Sequence, residues 1–183
     1  MLGIVFSEFT EMVEEVFSAE MVEKILDDCD LESGGAYTSV GSYSHTEIIS
    51  LVGALSKRTG MAADDLQRVF GKHLLKIFSE RYPAFFENVN GAFEFFKSVD
   101  GHIHKEVLKL YPNANLPRFT YELRDEDTLI LNYFSARPFG VLAEGLIAGT
   151  LEYYGVEADV ASTDHSTDEE NRVQFTIRKA TVT

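Results

Sequence analysis

The chain of 183 residues has one cysteine, four prolines and no tryptophan. The lone Cys29 excludes an internal disulfide framework and a cysteine-based zinc site within one chain. Basic residues are scarce: 16 Lys and Arg stand against 30 Asp and Glu, for a net charge of −14. Nucleic-acid binding by bulk electrostatics and attraction to anionic membranes are therefore not expected, because phosphate contacts need a basic surface. Long uncharged apolar runs are missing too. Glu8, Glu11, Glu14 and Glu15 interrupt the N-terminal segment, which excludes a membrane span there and a secretion signal. A cytoplasmic location is the expectation, with an acidic surface that favours solubility or a basic partner. Against these absences, 45% of the residues are hydrophobic, enough for one domain or two tightly joined subdomains.

Helical spacing of apolar groups runs through residues 1–18, at Ile4, Val5, Phe9, Met12, Val13 and Phe17. Further helices are predicted over 19–29, 46–58, 62–81 and, as one long element, 89–110. The 62–81 segment carries Leu66, Val69, Phe70, Leu74, Ile77 and Phe78 on its stripe, starts with Asp64 and Asp65, and stops at Arg81-Tyr82-Pro83. The period then changes. Residues 117–124 and 128–136 read as strands, 140–154 as a helix, and 156–163 with 172–181 as a hairpin around an acidic loop. Helices followed by strand–strand–helix–strand–strand predict an α+β fold with an antiparallel sheet.

Tyr133, Ser135 and Arg137 are spaced two apart. In a strand such residues share a face, so a phenol, a hydroxyl and a guanidinium converge on one spot. All three donate hydrogen bonds, and the guanidinium grips carboxylates in a two-pronged fork. The row suits a small anionic group such as the carboxylates of a cofactor; it also suits a solvated strand face ending in a surface Arg. His104 has Phe93, Phe96, Val107, Leu108 and Tyr111 near its side of the predicted long helix. A neutral imidazole there can ligate a metal, although a lone His on an apolar face is more often a satisfied core residue. His102 projects to another face.

The stretch His104-x-x-Val107-x-x-x-Tyr111-Pro112, continuing to Leu116-Pro117-x-Phe119 and then to Tyr133-x-Ser135-x-Arg137, resembles the haem nitric-oxide/oxygen-binding (H-NOX) family in its bacterial stand-alone form. The resemblance extends to Met1-x-Gly3-Ile4-Val5-Phe6, Val69-Phe70-Gly71 and Ala143-Glu144-Gly145-Leu146 followed by Gly149. It implies a b-type haem buried between an N-terminal helical subdomain (about 1–62, distal) and a C-terminal α+β subdomain (about 63–183, proximal) with a four-stranded antiparallel sheet. His104 would be the iron ligand, and Tyr133, Ser135 and Arg137 would clasp the propionates. Val5, Phe9, Leu74, Pro117, Leu142 and Leu146 would wall the ring, with Val5, Pro117 and Leu146 pressing it from planarity.

The resemblance also bears on the gas. Ferrous-bound O2 becomes superoxide-like and needs a hydrogen-bond donor, whereas NO does not. Oxygen-binding relatives carry a distal Tyr, a supporting polar residue and an N-terminal Trp; the matching positions here are Leu142, Leu74 and Phe9. NO and CO are expected to bind and O2 to be excluded, unless His73 turns inward beside Leu74. His45 and His165 are expected at the surface. The zinc cluster of several bacterial relatives has no cysteine counterpart over Ser162 to Asn171, so no zinc is expected. The expected signal is a weakened or broken His104–iron bond, read by a histidine kinase or a cyclic-di-GMP enzyme in trans. No nucleophile–base pair or phosphate-binding glycine loop marks an enzyme. An O2-binding haem protein, or a haem-free interaction module of the same fold, is the alternative.

Overall fold

The computed structural model describes residues 1–180. Its first half is helical: α1 (Gly3–Val16), α2 (Ala19–Asp27), α3 (His45–Thr59) and α4 (Ala63–Arg81), then a single turn α5 (Ala84–Glu87). Local chemistry sets several boundaries. The Ser18 hydroxyl accepts from the Met21 N–H at the start of α2, and Gly60, at φ 74°, closes α3 with its N–H on the Ser56 carbonyl. Asp64 and Asp65 occupy the first turn of α4, where the helix dipole favours them. Phe6, Phe9, Met12, Val13, Leu51, Leu55, Leu66, Phe70 and Leu74 bury together as one apolar core.

The predicted long helix over 89–110 is interrupted, a correction to the periodicity reading. It begins later, as α6 (Ala92–Ser98), because Gly91 sits at φ 93°. A π-turn then spans Val99–Ile103, and α7 runs His104–Leu110. The His104 N–H reaches back five residues to the Val99 carbonyl, so one residue is inserted in the helix. Gly101 lies inside that turn. The insertion rotates everything after it, so Leu108, expected on the apolar side, is 39% exposed. Val69 of α4 is likewise exposed.

The second half follows the predicted order: β1 (Arg118–Leu123), β2 (Thr128–Ser135), α8 (Gly140–Tyr153), β3 (Ala158–Asp164) and β4 (Asn171–Lys179). The predicted last strand reached Thr181, which lies outside the described residues. The strands form one antiparallel sheet in the order β1-β2-β4-β3. Register pairs Phe119 with Tyr133 and Tyr133 with Val173, and aligns Leu129 with Ile177. Leu129, Leu131, Phe175 and Ile177 thereby point to one face, which α6 and α8 cover in a second core with Phe93, Phe95 and Phe96. The two cores meet along α4 and α8; Leu146 and Phe78 touch both. These helices approach closely because Gly71 faces Gly145: a Cβ at Gly71 would stand 2.5 Å from the Leu142 carbonyl oxygen. Among the described residues no helix is long and apolar enough to cross a membrane.

Glu8 joins α1 to α4 and is fully buried. Its carboxylate lies 2.5 Å from Arg81 Nη2 and 3.7 Å from His73 Nε2. Burial, and then the neighbouring Glu11, push its pKa above the ordinary carboxyl range, while Arg81 and His73 pull it down. Because the folded-state pKa is raised, this group favours the fold at low pH. That contribution declines as pH rises from the ordinary carboxyl range through the raised value. Arg81→Ala leaves the buried charge with a weaker partner. A loss of about 2–3 kcal/mol is expected, below the roughly 3–5 kcal/mol of a fully buried pair because Arg81 is 41% exposed. Adding Glu8→Gln should restore most of it; chemical denaturation at neutral pH checks both steps.

Candidate functional site

His104 opens α7 directly after the π-turn, so its imidazole leaves the helix at the point where the period is broken. Its side chain is 17% exposed, and its Nδ1 is buried without a hydrogen-bond partner among the described residues. Burial pushes its pKa down, opposed by the Asp100 carboxylate and the Pro117 carbonyl. The neutral imidazole is favoured, the form that ligates metals. Asp100 stands 3.8 Å from Nδ1, beyond hydrogen-bond reach, and anchors its own position by accepting from the Phe119 N–H at 3.0 Å. Asp100 is a site residue that the sequence reading missed. A carboxylate four residues before a candidate ligand His was the available signal.

Aromatic contacts lead from the imidazole to the strand triplet. The His104 ring centroid lies 5.9 Å from that of Phe119, which lies 5.6 Å from Tyr133. Tyr133 is buried, and its hydroxyl donates to the Arg137 carbonyl at 3.2 Å. The Ser135 hydroxyl accepts from the Arg137 N–H at 3.0 Å. The Arg137 side chain donates once, from Nη1 to the Asn115 carbonyl at 3.2 Å, in the loop that carries Pro117. The structure therefore gathers Tyr133, Ser135 and Arg137 at the end of β2, within two aromatic rings of His104.

This edge of the site is electropositive. Arg137 meets no carboxylate within ion-pair distance among the described residues. Burial and then the Arg137 charge push the Met1 amino pKa down; the same two causes, and the Met1 amino group after them, push His45 down. His45, expected at the surface, is half-buried at the head of α3 with its ring 6.2 Å from Phe139. Repulsion among cations with no neutralising carboxylate marks a place for an anion.

Next to this edge lies a largely apolar cavity of about 350 Å³, bordered by Val5, Ile48, Val52, Phe70, Phe139 and Leu142, among others. Of the predicted wall residues, Val5 and Leu142 line it; Phe9 and Leu74 sit in the core behind, at 0% and 2% exposure. Leu146 joins both cores from α8, and Pro117 lies half-buried before β1. Phe9, Leu74 and Leu142 carry no polar side-chain atom. His73 does not turn toward them; its Nε2 faces Glu8. Gln67 also borders the cavity, with its Oε1 buried and unpartnered, and the sequence reading overlooked it. It sits seven residues before Leu74 on α4, about 10 Å along the helix axis.

A helical core meets an α+β core along α4 and α8, and the second half carries a buried imidazole and a cationic strand end. The family model described as Haem-NO-binding matches residues 2–162. The crystal structure of the Fe(II) unliganded H-NOX protein from K. algicida is 35% identical, with a TM-score of 0.92, covering 100% of this chain and 98% of that one. The solution structure of the IWP-051-bound H-NOX from Shewanella woodyi in the Fe(II)CO ligation state is 38% identical, with a TM-score of 0.83, covering 99% and 95%. A mutant of the T. tengcongensis H-NOX, 21% identical with a TM-score of 0.87 over 98% and 97% of the chains, shares the fold. No curated protein matches. The chain belongs to the H-NOX family of haem-based gas-sensor domains.

Proposed function

We propose that this chain is a haem-based sensor that takes NO and CO at ferrous iron and excludes O2. The observation that carries the reading is a buried imidazole nitrogen without a partner, joined through two aromatic rings to a cationic edge without a carboxylate. These residues fit haem b. His104 would supply the iron ligand, held in its neutral form by burial. Tyr133, Ser135 and Arg137 would take the two carboxylate arms, for which an Arg fork and two hydroxyl groups are well matched. Val5, Phe9, Leu74, Pro117, Leu142 and Leu146 would form the apolar walls. When bound, ferrous haem supplies the metal centre that takes up the diatomic gas.

The chain's own residues would set the selectivity. Phe9, Leu74 and Leu142 offer no hydrogen bond to a superoxide-like ligand. Gln67 is the single observation on the side of an O2-binding reading, since its amide carries two donors on the cavity wall. The test is a spectrum of the reduced protein in air. Ready oxidation or no shift supports O2 exclusion; a stable ferrous–oxy band that Gln67→Leu abolishes would support the alternative. Leu142→Tyr is expected to confer weak O2 binding, read as a transient oxy band that the parent protein does not show.

Output would leave through the π-turn. His104, Asp100 and the Phe119 N–H form one connected path from the imidazole to β1. Release of His104 from its ligand role would free that turn to shift against the sheet, a two-state element of the kind ligands bias. The two-part division near residue 62 and a non-catalytic role belong to the same reading. So does a cytoplasmic setting, with a histidine kinase or a cyclic-di-GMP enzyme in trans as the receiver.

A further inference from the structure

The eight arginines of this chain divide sharply by location. In the helical half, each has a carboxylate: Arg58 meets Asp28, Arg68 meets Asp65 and Glu144, and Arg81 meets Glu8. Arg137 belongs to the cleft. The remaining four, Arg118, Arg124, Arg172 and Arg178, all lie on the sheet or its first hairpin. Among the described residues Arg118, Arg172 and Arg178 make no ion pair within 4.0 Å, and Arg124 reaches only Glu122 at 3.9 Å. In a protein of net charge −14, guanidiniums such as Arg118 and Arg172 with no ion-paired carboxylate among the described residues are an exception that needs a cause.

They occupy one face. Strand pairing aligns Arg118 with Phe134 and Phe134 with Arg172, and directly paired residues share a side. The two guanidiniums stand 4.1 and 5.3 Å from the centroid of the Phe134 ring. Stacking on the ring holds each cation in place and leaves its N–H edges outward, where a carboxylate can be gripped in a fork. The next row, Thr120, Asn132 and Gln174, is polar: Gln174 Nε2 donates to Asn132 Oδ1 and Asn132 Nδ2 to Thr120 Oγ1, which ties the three strands together. Arg178 lies further along the same side, partly balanced by Asp125, whose pKa it helps to lower. This is the face opposite Leu129, Leu131, Phe175 and Ile177; Arg118, Arg172 and Arg178 are exposed on it, while toward the end away from Phe134 Ile130 is buried and Glu122 and Asp159, paired with Ile130 and Arg178, add two carboxylates.

We propose that this outer face, centred on Phe134 between Arg118 and Arg172, is the docking surface for an acidic segment of a partner protein. Charge complementarity selects the occupant. A second copy of this chain would have to offer its acidic helices to the basic sheet; such a head-to-tail contact does not close as a dimer and leads to rings or filaments. Strand alternation adds a consequence. Phe134 lies between Tyr133 and Ser135, and Arg118 between Pro117 and Phe119, so the docking side chains stand on the reverse of the residues assigned to the cleft. The surface itself requires nothing of what the cleft holds.

The test titrates a fluorescein-labelled polyglutamate peptide into the full chain, with binding read by fluorescence anisotropy and the cleft monitored separately by its absorption spectrum. Binding that weakens with salt, and that drops about tenfold or more in the Arg118→Glu/Arg172→Glu double variant, is expected. Arg118→Gln/Arg172→Gln, which removes charge at nearly constant length, should show the same direction with an unchanged melting temperature. Arg58→Gln, in the helical half, should bind like the parent. Absence of peptide binding would overturn the proposal, as would equal binding by the parent and both double variants. Arginine-dependent attachment to phosphatidylserine vesicles without peptide binding would overturn it in favour of a membrane. Arginine-dependent self-association in sedimentation without peptide binding would overturn it in favour of a second copy.

Discussion

His104→Gly is expected to abolish stable haem binding: the purified protein shows no Soret band, and added hemin is retained only when imidazole is supplied. The replaced side chain is the one imidazole that combines a buried, unpartnered Nδ1 with a pKa pushed down by burial. Of the other imidazoles in the helical half and the central helix, His73 faces Glu8, His45 meets Phe139 edge-on and His102 lies against Phe85. None can take over without dismantling its own contact. Loss of the sole metal bond should weaken retention by at least about 3 kcal/mol, roughly a hundredfold or more. Exogenous imidazole fills the vacated space and restores the ligand without the tether. The rescued protein should then bind NO with normal spectra but fail to pass the signal to the π-turn. A His104→Gly protein with an unchanged five-coordinate ferrous spectrum would remove His104 from the role. Asp100→Ala offers a milder companion, because it loosens the turn and the Phe119 anchor while leaving the imidazole in place.

Arg137→Ala is expected to speed haem loss by about 10- to 100-fold, as read by transfer to an apoglobin acceptor. A hydrogen-bonded charge pair contributes about 1.5–3 kcal/mol, which converts to that range. The geometry places Arg137 near the upper part of it. Its guanidinium has no competing carboxylate, and its charge already depresses the pKa values of the Met1 amino group and His45. Removing it should raise both, so the His45 titration by NMR gives a second readout independent of haem. Arg137→Lys should fall between the parent and Ala, because an ammonium keeps the charge and loses the fork. Normal haem retention in Arg137→Ala would reassign the triplet to a purely local role, tying β2 to the Asn115 loop.

The order of elements could be read from residue spacing because it depends on local periodicity; for the candidate site, spacing left a solvated strand face and a satisfied core His open, and the resemblance to the H-NOX family singled out the residues. Tyr133 and Ser135 lie on β2 and Arg137 two residues along, just past its end, so a period of two brings the three near one spot. The resemblance to the H-NOX family rested on these residues among others, and the family match over residues 2–162 bears it out. The π-turn was not legible. One inserted residue leaves the run of apolar groups from Phe93 to Val107 looking continuous, while the structure rotates His104 relative to Phe96. In the sequence Glu8 counts only as a charge that interrupts the N-terminal segment; its burial against Arg81, 73 positions away, is a tertiary fact. Asp100 and Gln67 were missed for a related reason. Each acts through a packing contact, at Phe119 or at the cavity wall, that no local pattern encodes. The strand order β1-β2-β4-β3 is likewise a tertiary outcome, because β4 pairs with β2, distant in sequence, as well as with β3.

The most direct measurement is an absorption spectrum of the hemin-loaded, reduced protein, taken before NO, after NO and, in a separate sample, after exposure to air. The expected series is a five-coordinate ferrous band, a new band with NO whose position reports whether the His104 bond is weakened or broken, and no stable oxy band in air. Failure to retain hemin at all, or a stable oxy spectrum with the parent sequence, would contradict the assignment.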